Sequence, residues 1–510
     1  MEINLLKDIR TANGAVPVII LAEGEDLKNH SFASFFSTDD LRYIAAFFKK
    51  TPVRDGHTHL LFTPSGREAV VAGIQKRTQF SHRKALSTAR RIVAFARRER
   101  IKHIAVSLHD FVSRGFDSRL PDLAEVIATQ FELANFEYTE YRTKPAEGWQ
   151  HVHAISVYAK RAPKAVAEGL RRGKIVGEET NAMRELSNTP GGDLVPAGLA
   201  GAAVKAGKAF GFSVKVLSVS DMEKLGMGGV LGVGRGSDHP PKFIVMEYLK
   251  GKKNEQPVVL VGKGVTFDTG GLNLKPEQGI YEMHMDMSGG ASVIHIVAAL
   301  ARLKVKKNIV ALVPAVENMP SGRSYHPGDV LRTMSGKTIE ILNTDAEGRV
   351  ILADGLTYAK RYNPRAIIDV ATLTGAAMVA LGARASALFA TDLKLERRLR
   401  EIGEETGDFV WPLPLWEEYE QDIKGTFGDV ANSSKVRYGG AITAAMFLWQ
   451  FVKDSSVTSD KRQGTRTNQQ QVSWIHLDIA PRMTSTEGDY LAKGSAGASV
   501  PLLVRFLTGF

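Results

Sequence analysis

The sequence contains no cysteine among its 510 residues, so it forms neither a disulfide bond nor a metal site built on thiolates. It also lacks any apolar run near the roughly 18 residues that a membrane-spanning helix needs. The N-terminus, from Met1 to Asp8, does not show the basic, apolar and small-residue order of a signal peptide. We therefore expect a cytoplasmic protein that does not insert into a membrane.

Signals for nucleotide-binding loops and for a serine nucleophile are also missing. The glycine-rich segment from Gly226 to Gly236 has no clear strand before it or helix after it, as a dinucleotide-binding fingerprint requires. The Gly262-Lys-Gly triplet lacks the upstream glycine and the following Ser or Thr of a P-loop. No serine stands out in a nucleophile turn. The chemistry must therefore be sought among carboxylates and lysines.

The N-terminal third alternates short apolar runs with helical patterns. Val16–Ala22 and His103–Leu108 are two such runs, and this alternation is typical of an α/β domain. A helical pattern from Pro163 to Leu186 follows and ends at the turn cluster Ser187-Asn-Thr-Pro-Gly-Gly. We predict three regions: a smaller α/β domain with a regulatory or assembly role at 1–162, a connecting helix at 163–186 and a larger domain at 187–510.

The larger domain repeats the alternation of apolar strands and helices. Such a pattern favours a mostly parallel central sheet that is covered by helices on both faces. The predicted strands are Phe212–Leu217, Val258–Val265, Asn308–Val313, Thr338–Leu342, Ala366–Thr372 and Trp474–Ile479. The polar segment from Asp454 to Gln471 is poor in apolar residues and predicts a surface loop.

The heptapeptide at 343–349, Asn-Thr-Asp-Ala-Glu-Gly-Arg, stands between a β-prone run and a helical pattern. Strand-to-helix turns are where open α/β sheets hold ligands. Its carboxylates, Asp345 and Glu347, are suited to share cations, and Arg349 is suited to hold an anion through two hydrogen bonds. A surface capping turn with two acids would show the same pattern.

A second group of charged residues follows the apolar run from Pro257 to Thr266. Lys263 lies inside this predicted strand, and Asp268, Lys275 and Asp286 come soon after it. An ammonium in a buried strand requires a carboxylate, or a metal ion that replaces its proton. The residues alone leave two alternatives, a metal site and a buried Lys263–Asp268 ion pair.

Five sequence words together resemble the leucyl aminopeptidases, a family of two-metal cytosol-type aminopeptidases. They occur in the order and spacing of that family, and the resemblance extends from about Asn181 to the C-terminus, while the N-terminal part matches loosely. The words are Val261-Gly-Lys-Gly-Val-Thr-Phe-Asp-Thr-Gly-Gly, Met283-His-Met-Asp, Glu317-Asn-Met-Pro-Ser-Gly, Asn343-Thr-Asp-Ala-Glu-Gly-Arg and Ala371-Thr-Leu-Thr-Gly-Ala. The resemblance implies a catalytic domain at 187–510 that releases N-terminal residues, preferably leucine or other apolar ones, from peptides with a free N-terminus.

The resemblance also implies the ligands of two divalent metal ions. Asp268 and Glu347 correspond to the bridging carboxylates, Lys263 and Asp286 to further ligands of one ion, and Asp345 to a ligand of the other. Carboxylate oxygens with one amine suit Zn²⁺ or Mn²⁺, and also Mg²⁺ or Co²⁺. A metal-bound Lys263 must be a neutral amine, because the cation takes the place of its proton.

The remaining roles concern the substrate. By the same resemblance, Lys275 polarises the substrate carbonyl and stays charged, and Arg349 holds a bicarbonate ion that acts as general base. Met283 and Thr372 correspond to walls of the pocket for the N-terminal side chain, with the backbone of Leu373 and Gly375 beside the substrate. The family further implies a homohexamer built from two trimers.

The net charge of +11 suggests a second hypothesis. Residues 1–165 carry 25 basic and 18 acidic residues, a surplus of +7, and much of it lies between Lys76 and Lys102. The pairs Arg83/Lys84, Arg90/Arg91 and Arg97/Arg98 recur every seven residues, which predicts one basic stripe on a helix.

An exposed basic stripe is suited to contact nucleic acid phosphates, and some bacterial members of the family are DNA-binding regulators. The alternatives are a solvated face that pairs with acids such as Asp110, Asp117 and Asp122, or contact with a neighbouring subunit. A third function is two-metal hydrolysis of a phosphate ester. It would use Lys275 and Arg349, but the order of the five sequence words argues against it.

Overall fold

The computed structural model describes residues 1–12, 14–50, 56–113, 119–453 and 472–510. The predicted loop from Asp454 to Gln471 and the predicted ion-pair partner Asp117 lie outside these ranges. The chain divides into two compact units. Unit 1 contains Met1–Asn181, Glu404–Gly407 and Ser485–Lys493, and unit 2 contains Ala182–Gly403, Asp408–Thr484 and Gly494–Phe510.

Unit 1 is built from alternating strands and helices. Its strands are β1 (Glu2–Leu6), β2 (Val16–Ala22), β3 (Thr58–Phe62), β4 (Glu68–Ile74), β5 (His103–Ser107) and β6 (Ala154–Tyr158). Its helices are α1 (Thr38–Lys50), α2 (His82–Arg98), α3 (Leu120–Ala134) and most of α4 (Pro163–Asn188). Short 3-10 helices lie at Ile9–Thr11, Leu27–Asn29, Ser31–Phe35, Arg77–Gln79 and Leu108–Phe111. The strands predicted near residues 16 and 103 and the long helix that begins at Pro163 are thus present.

The six strands of unit 1 form one sheet in the order β1-β6-β5-β2-β4-β3. Neighbouring strands are parallel except for β3 and β4. Side chains of β2 alternate between two apolar clusters, because successive residues of a strand point to opposite faces. Val18 and Ile20 belong to the cluster that includes residues of α2 and α3, and Ile19 and Leu21 to the cluster that includes Ile44 of α1. Helices therefore cover both faces.

The basic residues of α2 do not form one exposed stripe. Arg91 is buried and donates a 2.8 Å hydrogen bond from Nη2 to the carbonyl oxygen of Gly73. Arg97 is held by several acceptors, and Arg83 forms an ion pair with Glu404. The seven-residue spacing keeps these side chains on one side of the helix, but packing against the sheet and the flanking segments interrupts that side.

Unit 2 contains most of the remaining elements. Its helices are α5 (Pro196–Phe210), α6 (Val219–Lys224), α7 (Gly228–Gly234), α8 (Glu277–Ile280), α9 (Ser288–Arg302), α10 (Glu347–Ala359), α11 (Gly375–Leu381), α12 (Leu393–Thr406), α13 (Gly440–Val452) and α14 (Val500–Gly509). Short 3-10 helices lie at Met283–Met285, Lys360–Tyr362, Glu417–Ile423 and Ala480–Arg482. No helix among the described residues is both long enough and apolar enough to span a lipid bilayer.

The strands of unit 2 form a nine-stranded and a three-stranded sheet. The larger sheet has the order β16-β15-β18-β14-β9-β11-β8-β7, with β10 paired to β11, and its central pairs are parallel. The strands are β7 (Ser213–Leu217), β8 (Lys242–Leu249), β9 (Val258–Gly262), β10 (Gly264–Asp268), β11 (Asn308–Asn318), β12 (Val330–Arg332), β13 (Thr338–Glu340), β14 (Ala366–Ala371), β15 (Ser386–Ala390), β16 (Val410–Pro412), β17 (Val430–Ala431) and β18 (Ser473–Asp478).

Helices cover both faces of the central strands, as the fully apolar sequence of β9 predicts. Val261 meets Gly355 of α10, and the next residue, Gly262, meets Val293 of α9 on the opposite face. The predicted fold class, an α/β protein with a mostly parallel central sheet flanked by helices, is confirmed.

Two of the strand predictions need correction. The strand expected from Val258 to Val265 is two strands, β9 and β10, because the chain departs from β9 at Lys263, and β10 then pairs with the far half of β11. The strand expected from Thr338 to Leu342 does not join the central sheet. It forms β13 of the small sheet β12-β13-β17, since its apolar character reports burial and not which sheet it enters.

Candidate metal centre

The predicted site residues meet where the parallel strands of unit 2 end. Strands β14, β9 and β11 are parallel neighbours, and β10 runs parallel to the last part of β11. Lys263 directly follows β9, Asp268 is the last residue of β10, and Thr372 directly follows β14. This edge is where open α/β sheets hold ligands, because the loops that leave parallel strands converge there.

Two helices bring further acids to the same edge from their N-terminal ends. Glu347 is the first residue of α10, and Asp286 lies two residues before α9. The positive end of a helix dipole favours carboxylates in this position. The backbone of α10 approaches Lys263 so closely that a Cβ at Gly348 would lie 2.6 Å from the Lys263 Nζ atom. Glycine at this position is therefore a steric requirement of the site.

Lys263 lies at the centre of the site and is almost fully buried. Its Nζ atom is 2.8 Å from Asp286 Oδ2 and 2.7 Å from Glu347 Oε1. It also donates a 2.9 Å hydrogen bond to the carbonyl oxygen of Thr372. The simple Lys263–Asp268 ion pair considered from the sequence is thus wrong in its partners, since Asp286 and Glu347 hold the ammonium.

Lys275 joins the other two predicted ligands. Its Nζ atom is 2.8 Å from Asp268 Oδ2 and also contacts Asp345 Oδ1. Asp268 Oδ1 accepts a 2.9 Å hydrogen bond from the Gly270 amide, which fixes the orientation of the carboxylate. Lys263 and Lys275 thus each stand between two carboxylates. Lys263 is itself one of the five predicted metal ligands, and the two lysines contact the other four.

The carboxylates lie unusually close to one another. Asp268, Asp286 and Glu347 each offer an oxygen, and these three oxygens lie within 4.8 Å of one another. Burial and the charge of Glu347 raise the pKa of Asp268 to about 7. Burial also raises the pKa of Asp286 well above its ordinary value, whereas Lys263 and Lys275 hold the pKa of Glu347 below its ordinary value despite burial. Like charges at this spacing need cations between them.

The donor set fits divalent cations. Within the described residues, Asp286 Oδ2, Asp345 Oδ1 and Glu347 Oε1 are buried and accept no hydrogen bond of regular geometry, although a lysine ammonium lies beside each of them. Buried carboxylate oxygens that are balanced by an ammonium and accept no regular hydrogen bond are suited to bind a metal ion in its place. Oxygen ligands with one amine and no thiolate match the hard and borderline divalent cations.

Arg349 lies in the first turn of α10, as Glu347 does, and its side chain is buried. Its Nη1 donates a 2.9 Å hydrogen bond to the carbonyl oxygen of Asn432, while its Nε finds no acceptor among the described residues. Burial lowers the pKa of Arg349 to about 10, so the guanidinium remains charged at neutral pH. A buried guanidinium with an unused donor is suited to hold a small anion.

The four residues predicted beside the substrate surround the same edge of the sheet. Thr372 is buried, and its Oγ1 donates a 2.7 Å hydrogen bond to Asp286 Oδ1, so it holds a predicted ligand in place. The Leu373 amide donates to Asp478 Oδ1, and Gly375 begins α11 with open space where a side chain would stand. Met283 is half-buried in the turn that leads to Asp286.

Comparison with known proteins places the chain in a family. The model for the catalytic domain of the cytosol aminopeptidase family matches residues 181–504. The chain belongs to the cytosol aminopeptidase family. The resemblance inferred from the sequence words is confirmed, and the enzyme is a metal-dependent aminopeptidase of that family.

Relatives within this family cover much of the chain. A probable cytosol aminopeptidase of Azoarcus sp. strain BH72 is 51% identical over 340 residues, which cover 67% of this chain and 64% of that protein. A probable cytosol aminopeptidase of Roseiflexus castenholzii is 40% identical over 458 residues, which cover 88% of this chain and 89% of that protein. The similarity to the second relative thus reaches well into the N-terminal third.

Two solved structures are similar in fold to this chain. A mutant of tomato leucine aminopeptidase is 28% identical, with a TM-score of 0.85 and coverage of 100% of this chain and 97% of that chain. The bottromycin maturation enzyme BotP in complex with Mn is also 28% identical, with a TM-score of 0.81 and coverage of 97% of this chain and 100% of that chain. The fold of the described residues is therefore shared with both enzymes.

Sequence reasoning missed several residues that support the site of this aminopeptidase. Asn318 Nδ2 donates to Asp268 Oδ1 at 2.8 Å and to the carbonyl oxygen of Thr344 at 3.0 Å. Asp478 accepts from the Leu373 amide and from the Thr374 hydroxyl at 2.7 Å. Asn318 lies inside one of the five sequence words, so its role could have been predicted from the sequence. Asp478 stands outside the five sequence words, and its position inside the predicted strand Trp474–Ile479 indicated a buried partner without naming it.

We expect Asn318→Ala to weaken metal binding by about 10-fold to 100-fold, because residues that orient a ligand typically contribute this much. Asn318 is fully buried and links Asp268 to the turn that carries Asp345, so its loss frees both carboxylates to rotate. Competition with a chelator of known affinity measures the change. Asn308→Ala is the matched control, since Asn308 is a buried asparagine of the same strand that binds the carbonyl oxygens of Lys252 and Glu255. Unchanged affinity in Asn318→Ala contradicts the orienting role.

Proposed function

We propose that this chain is a two-metal aminopeptidase that hydrolyses the N-terminal peptide bond of peptides and prefers leucine or other apolar N-terminal residues. Its family membership supports the reaction class. The observation that carries the two-metal assignment is the convergence of Asp268, Asp286 and Glu347 within 4.8 Å, with Lys263 and Lys275 between the carboxylates. This is the arrangement that two adjacent divalent cations require.

The proposal assigns five ligands. Asp268 and Glu347 would hold both ions, Lys263 and Asp286 would hold one of them, and Asp345 would hold the other. The ions are Zn²⁺ or Mn²⁺, with Mg²⁺ or Co²⁺ as further candidates, because the donor set does not favour a soft cation. Lys263 would bind as a neutral amine. The carbonyl oxygen of Thr372 accepts a hydrogen bond from this amine and so fixes its direction.

When bound, the two cations supply an activated water, a polarised carbonyl and an anchor for the free amine of the substrate. The chain itself provides the remaining groups. The ammonium of Lys275 is half-enclosed beside Asp268 and Asp345 and stabilises negative charge that develops on the carbonyl oxygen. Asp286 is kept in position by the hydroxyl of Thr372. Hydrolysis at the N-terminal residue follows from the requirement for a free amine.

Arg349 would hold a bicarbonate ion, which would supply the general base for hydrolysis. The unused Nε donor of the buried Arg349 supports this role, since a guanidinium is suited to hold a carbonate-like anion through two hydrogen bonds. The side chain is anchored at Nη1 by the carbonyl oxygen of Asn432. The preference for apolar N-terminal residues is assigned to a pocket lined by Met283, Thr372, Leu373 and Gly375.

The proposed activity is tested by the hydrolysis of leucine p-nitroanilide and of N-acetyl-leucine p-nitroanilide, with and without EDTA. We expect activity on the free amine only, loss of that activity with EDTA, and recovery when Mn²⁺ or Zn²⁺ is restored. Bis-p-nitrophenyl phosphate serves as the control for phosphate ester hydrolysis. Equal cleavage of the acetylated substrate contradicts the aminopeptidase assignment, and activity on the phosphate ester alone supports the third function.

Arg349→Ala is expected to slow turnover by about 100-fold, in the range that general base catalysis contributes. Added bicarbonate should restore part of the rate, because the anion regains access to the site without its arginine. Steady-state kinetics at several bicarbonate concentrations measure this rescue. Arg349→Lys keeps the charge but not the planar pair of donors, so its rate should lie between those of the other two proteins. Complete insensitivity to bicarbonate in all three proteins argues against the role.

We further propose that the protein is cytoplasmic and assembles as a homohexamer of two trimers. The names of the relatives, cytosol aminopeptidases, support the location. The assembly is inferred from the family resemblance alone. Light scattering coupled to size-exclusion chromatography should then give six times the chain mass of 55.6 kDa. A mass of one or two chains contradicts the hexamer.

A further inference from the structure

Unit 1 contains a cavity that the peptidase reaction does not use. It has a volume of about 750 Å³, within the range typical of small-molecule sites. Its walls come from the end of α2, the connection at residues 137–150 and the segment at residues 490–493. We call it the arginine cavity, because Arg97, Arg98, Arg100 and Arg142 line it. All of its lining residues belong to unit 1.

The floor of the arginine cavity is fixed by Arg97. Its Nη1 donates to the carbonyl oxygens of Ala134 and Phe136, at 3.1 and 3.2 Å, and its Nε donates to that of Gln150 at 2.9 Å. Its Nη2 donates a 2.6 Å hydrogen bond to Glu137 Oε2. This arginine joins α2, the end of α3 and the loop beyond, so the cavity has a rigid base.

The rim arginines keep most of their donors available. Arg98, Arg100 and Arg142 are each more than 60% exposed, at 69%, 63% and 62%. Among the residues that the structure describes, each donates to a single carboxylate, although a guanidinium has five N–H groups. With Lys493, five basic and two acidic residues line the cavity, which leaves a charge of +3. The cavity therefore favours a ligand with more than one negative charge.

Aromatic side chains lie beside these cations. Trp149, Tyr138 and Tyr490 line the cavity, and the guanidinium of Arg142 lies 5.4 Å from the centre of the Trp149 ring. Arginines together with aromatic faces bind phosphates and stack planar bases.

Two residues that line the arginine cavity have left-handed backbone. Six non-glycine residues in the described ranges have positive φ, and two of them, Arg100 at 61° and Tyr490 at 56°, line the arginine cavity. Position 100 follows the end of α2, where glycine is the usual residue. A left-handed residue also follows the end of α9, at Lys304, so the conformation at Arg100 belongs to the end of its helix. It brings Arg100 into the cavity wall, where Tyr490 also lies.

We propose that the arginine cavity binds a nucleoside polyphosphate, with the phosphates on Arg98, Arg100 and Arg142 and the base beside the aromatic rings. The helix dipole of α2 explains a basic last turn, but it does not explain the basic residues Arg142 and Lys493 from two other segments. The size of the cavity suits a mononucleotide, whereas a duplex would require an extended basic face, which α2 does not present. The site is independent of the proposed peptidase centre.

Isothermal titration calorimetry of the full chain at low salt, with ADP, adenosine and inorganic pyrophosphate, tests this proposal. We expect saturable binding of ADP, weaker binding of pyrophosphate and weaker binding of adenosine. Arg100→Ala and Arg142→Ala should each weaken ADP binding by roughly 10-fold to 100-fold, as expected for the loss of charged hydrogen bonds. Trp149→Leu should weaken ADP binding but leave the affinity for pyrophosphate unchanged.

Arg171→Ala is the matched control, because Arg171 is an exposed arginine of unit 1 that pairs with Glu168 on α4, away from the cavity. Its affinity for ADP should equal that of the unchanged protein, and leucine p-nitroanilide hydrolysis by Arg142→Ala should be normal, which shows that this variant folds. Absence of saturable ADP binding overturns the proposal, as does an equal loss in Arg171→Ala. Equal affinity for pyrophosphate and ADP overturns the role of the aromatic rings, and duplex DNA binding through the same arginines without ADP binding replaces the nucleotide by nucleic acid.

Discussion

Glu347→Ala is expected to lose bound metal and at least about 10³ of the hydrolytic rate, since metal ions contribute several kcal/mol to such reactions. Glu347 is a proposed ligand of both ions and is the first residue of α10. The loss should persist after dialysis against excess Mn²⁺. Metal content by mass spectrometry and the rate with leucine p-nitroanilide measure the two effects.

The control for Glu347→Ala is Asp354→Asn. Asp354 is a buried carboxylate on the same helix, and it accepts hydrogen bonds from the amides of Val230 at 2.9 Å and Met334 at 2.8 Å. Its substitution should lower the free energy of unfolding but leave metal content unchanged, because Asp354 supports packing and not the ions. Normal metal occupancy in Glu347→Ala contradicts the bridging role of Glu347.

Lys275→Met is expected to reduce kcat by about 10² to 10³, the range seen when a donor to a developing oxyanion is removed. Metal content should stay the same or rise. Lys275 contacts Asp268 and Asp345, two proposed ligands. Without the ammonium, the negative charge of these carboxylates is balanced by the metal ions only, so metal binding is not weakened. Steady-state kinetics and metal analysis of the same sample separate turnover from occupancy.

Lys263→Met is the matched comparison for Lys275→Met. Both substitutions remove an ammonium that stands between two carboxylates. Lys263 is a proposed ligand, so its substitution should lower metal content together with the rate, whereas Lys275 should affect the rate alone. If Lys275→Met loses metal and Lys263→Met retains it, the two roles are exchanged and the assignment is wrong.

The fold class followed from local patterns, but the arrangement of some strands did not. An apolar run reports that a strand is buried, and this sufficed for β2, β9, β11, β14 and β18. It does not report the partner, so β13 was placed in the central sheet although it pairs with β12 and β17. The break at Lys263 was hidden for the same reason, because the residues on both sides of it are buried.

The residues proposed as ligands could be singled out from the sequence because each stands in one of the five sequence words, and most of these ligands share a word with other charged residues. Lys263 and Asp268 stand in one word, and Asp345, Glu347 and Arg349 stand in another. Residues that act singly from distant segments give no such signal. Asn432, for example, orients Arg349 through a backbone carbonyl oxygen, a group that every residue carries.

The basic residues of α2 show the limit of periodicity. A seven-residue recurrence places side chains along one side of a helix. It does not say whether that side meets solvent, and Arg91 is buried against the backbone of Gly73. The recurrence along α2 also did not predict the involvement of Arg142 and Lys493. These residues share a cavity with Arg97 but lie far from it in sequence.

The hydrogen bonds around the proposed metal centre join segments that are far apart along the chain. Lys263 and Thr372 are 109 residues apart, Leu373 and Asp478 are 105 apart, and Arg349 and Asn432 are 83 apart. Contacts of such long range form slowly during folding, because loop closure precedes them. A nascent or partly folded chain therefore has no assembled centre. Peptidase activity should be the last property to return on refolding, so the cell meets this enzyme as an active peptidase only once folding is complete.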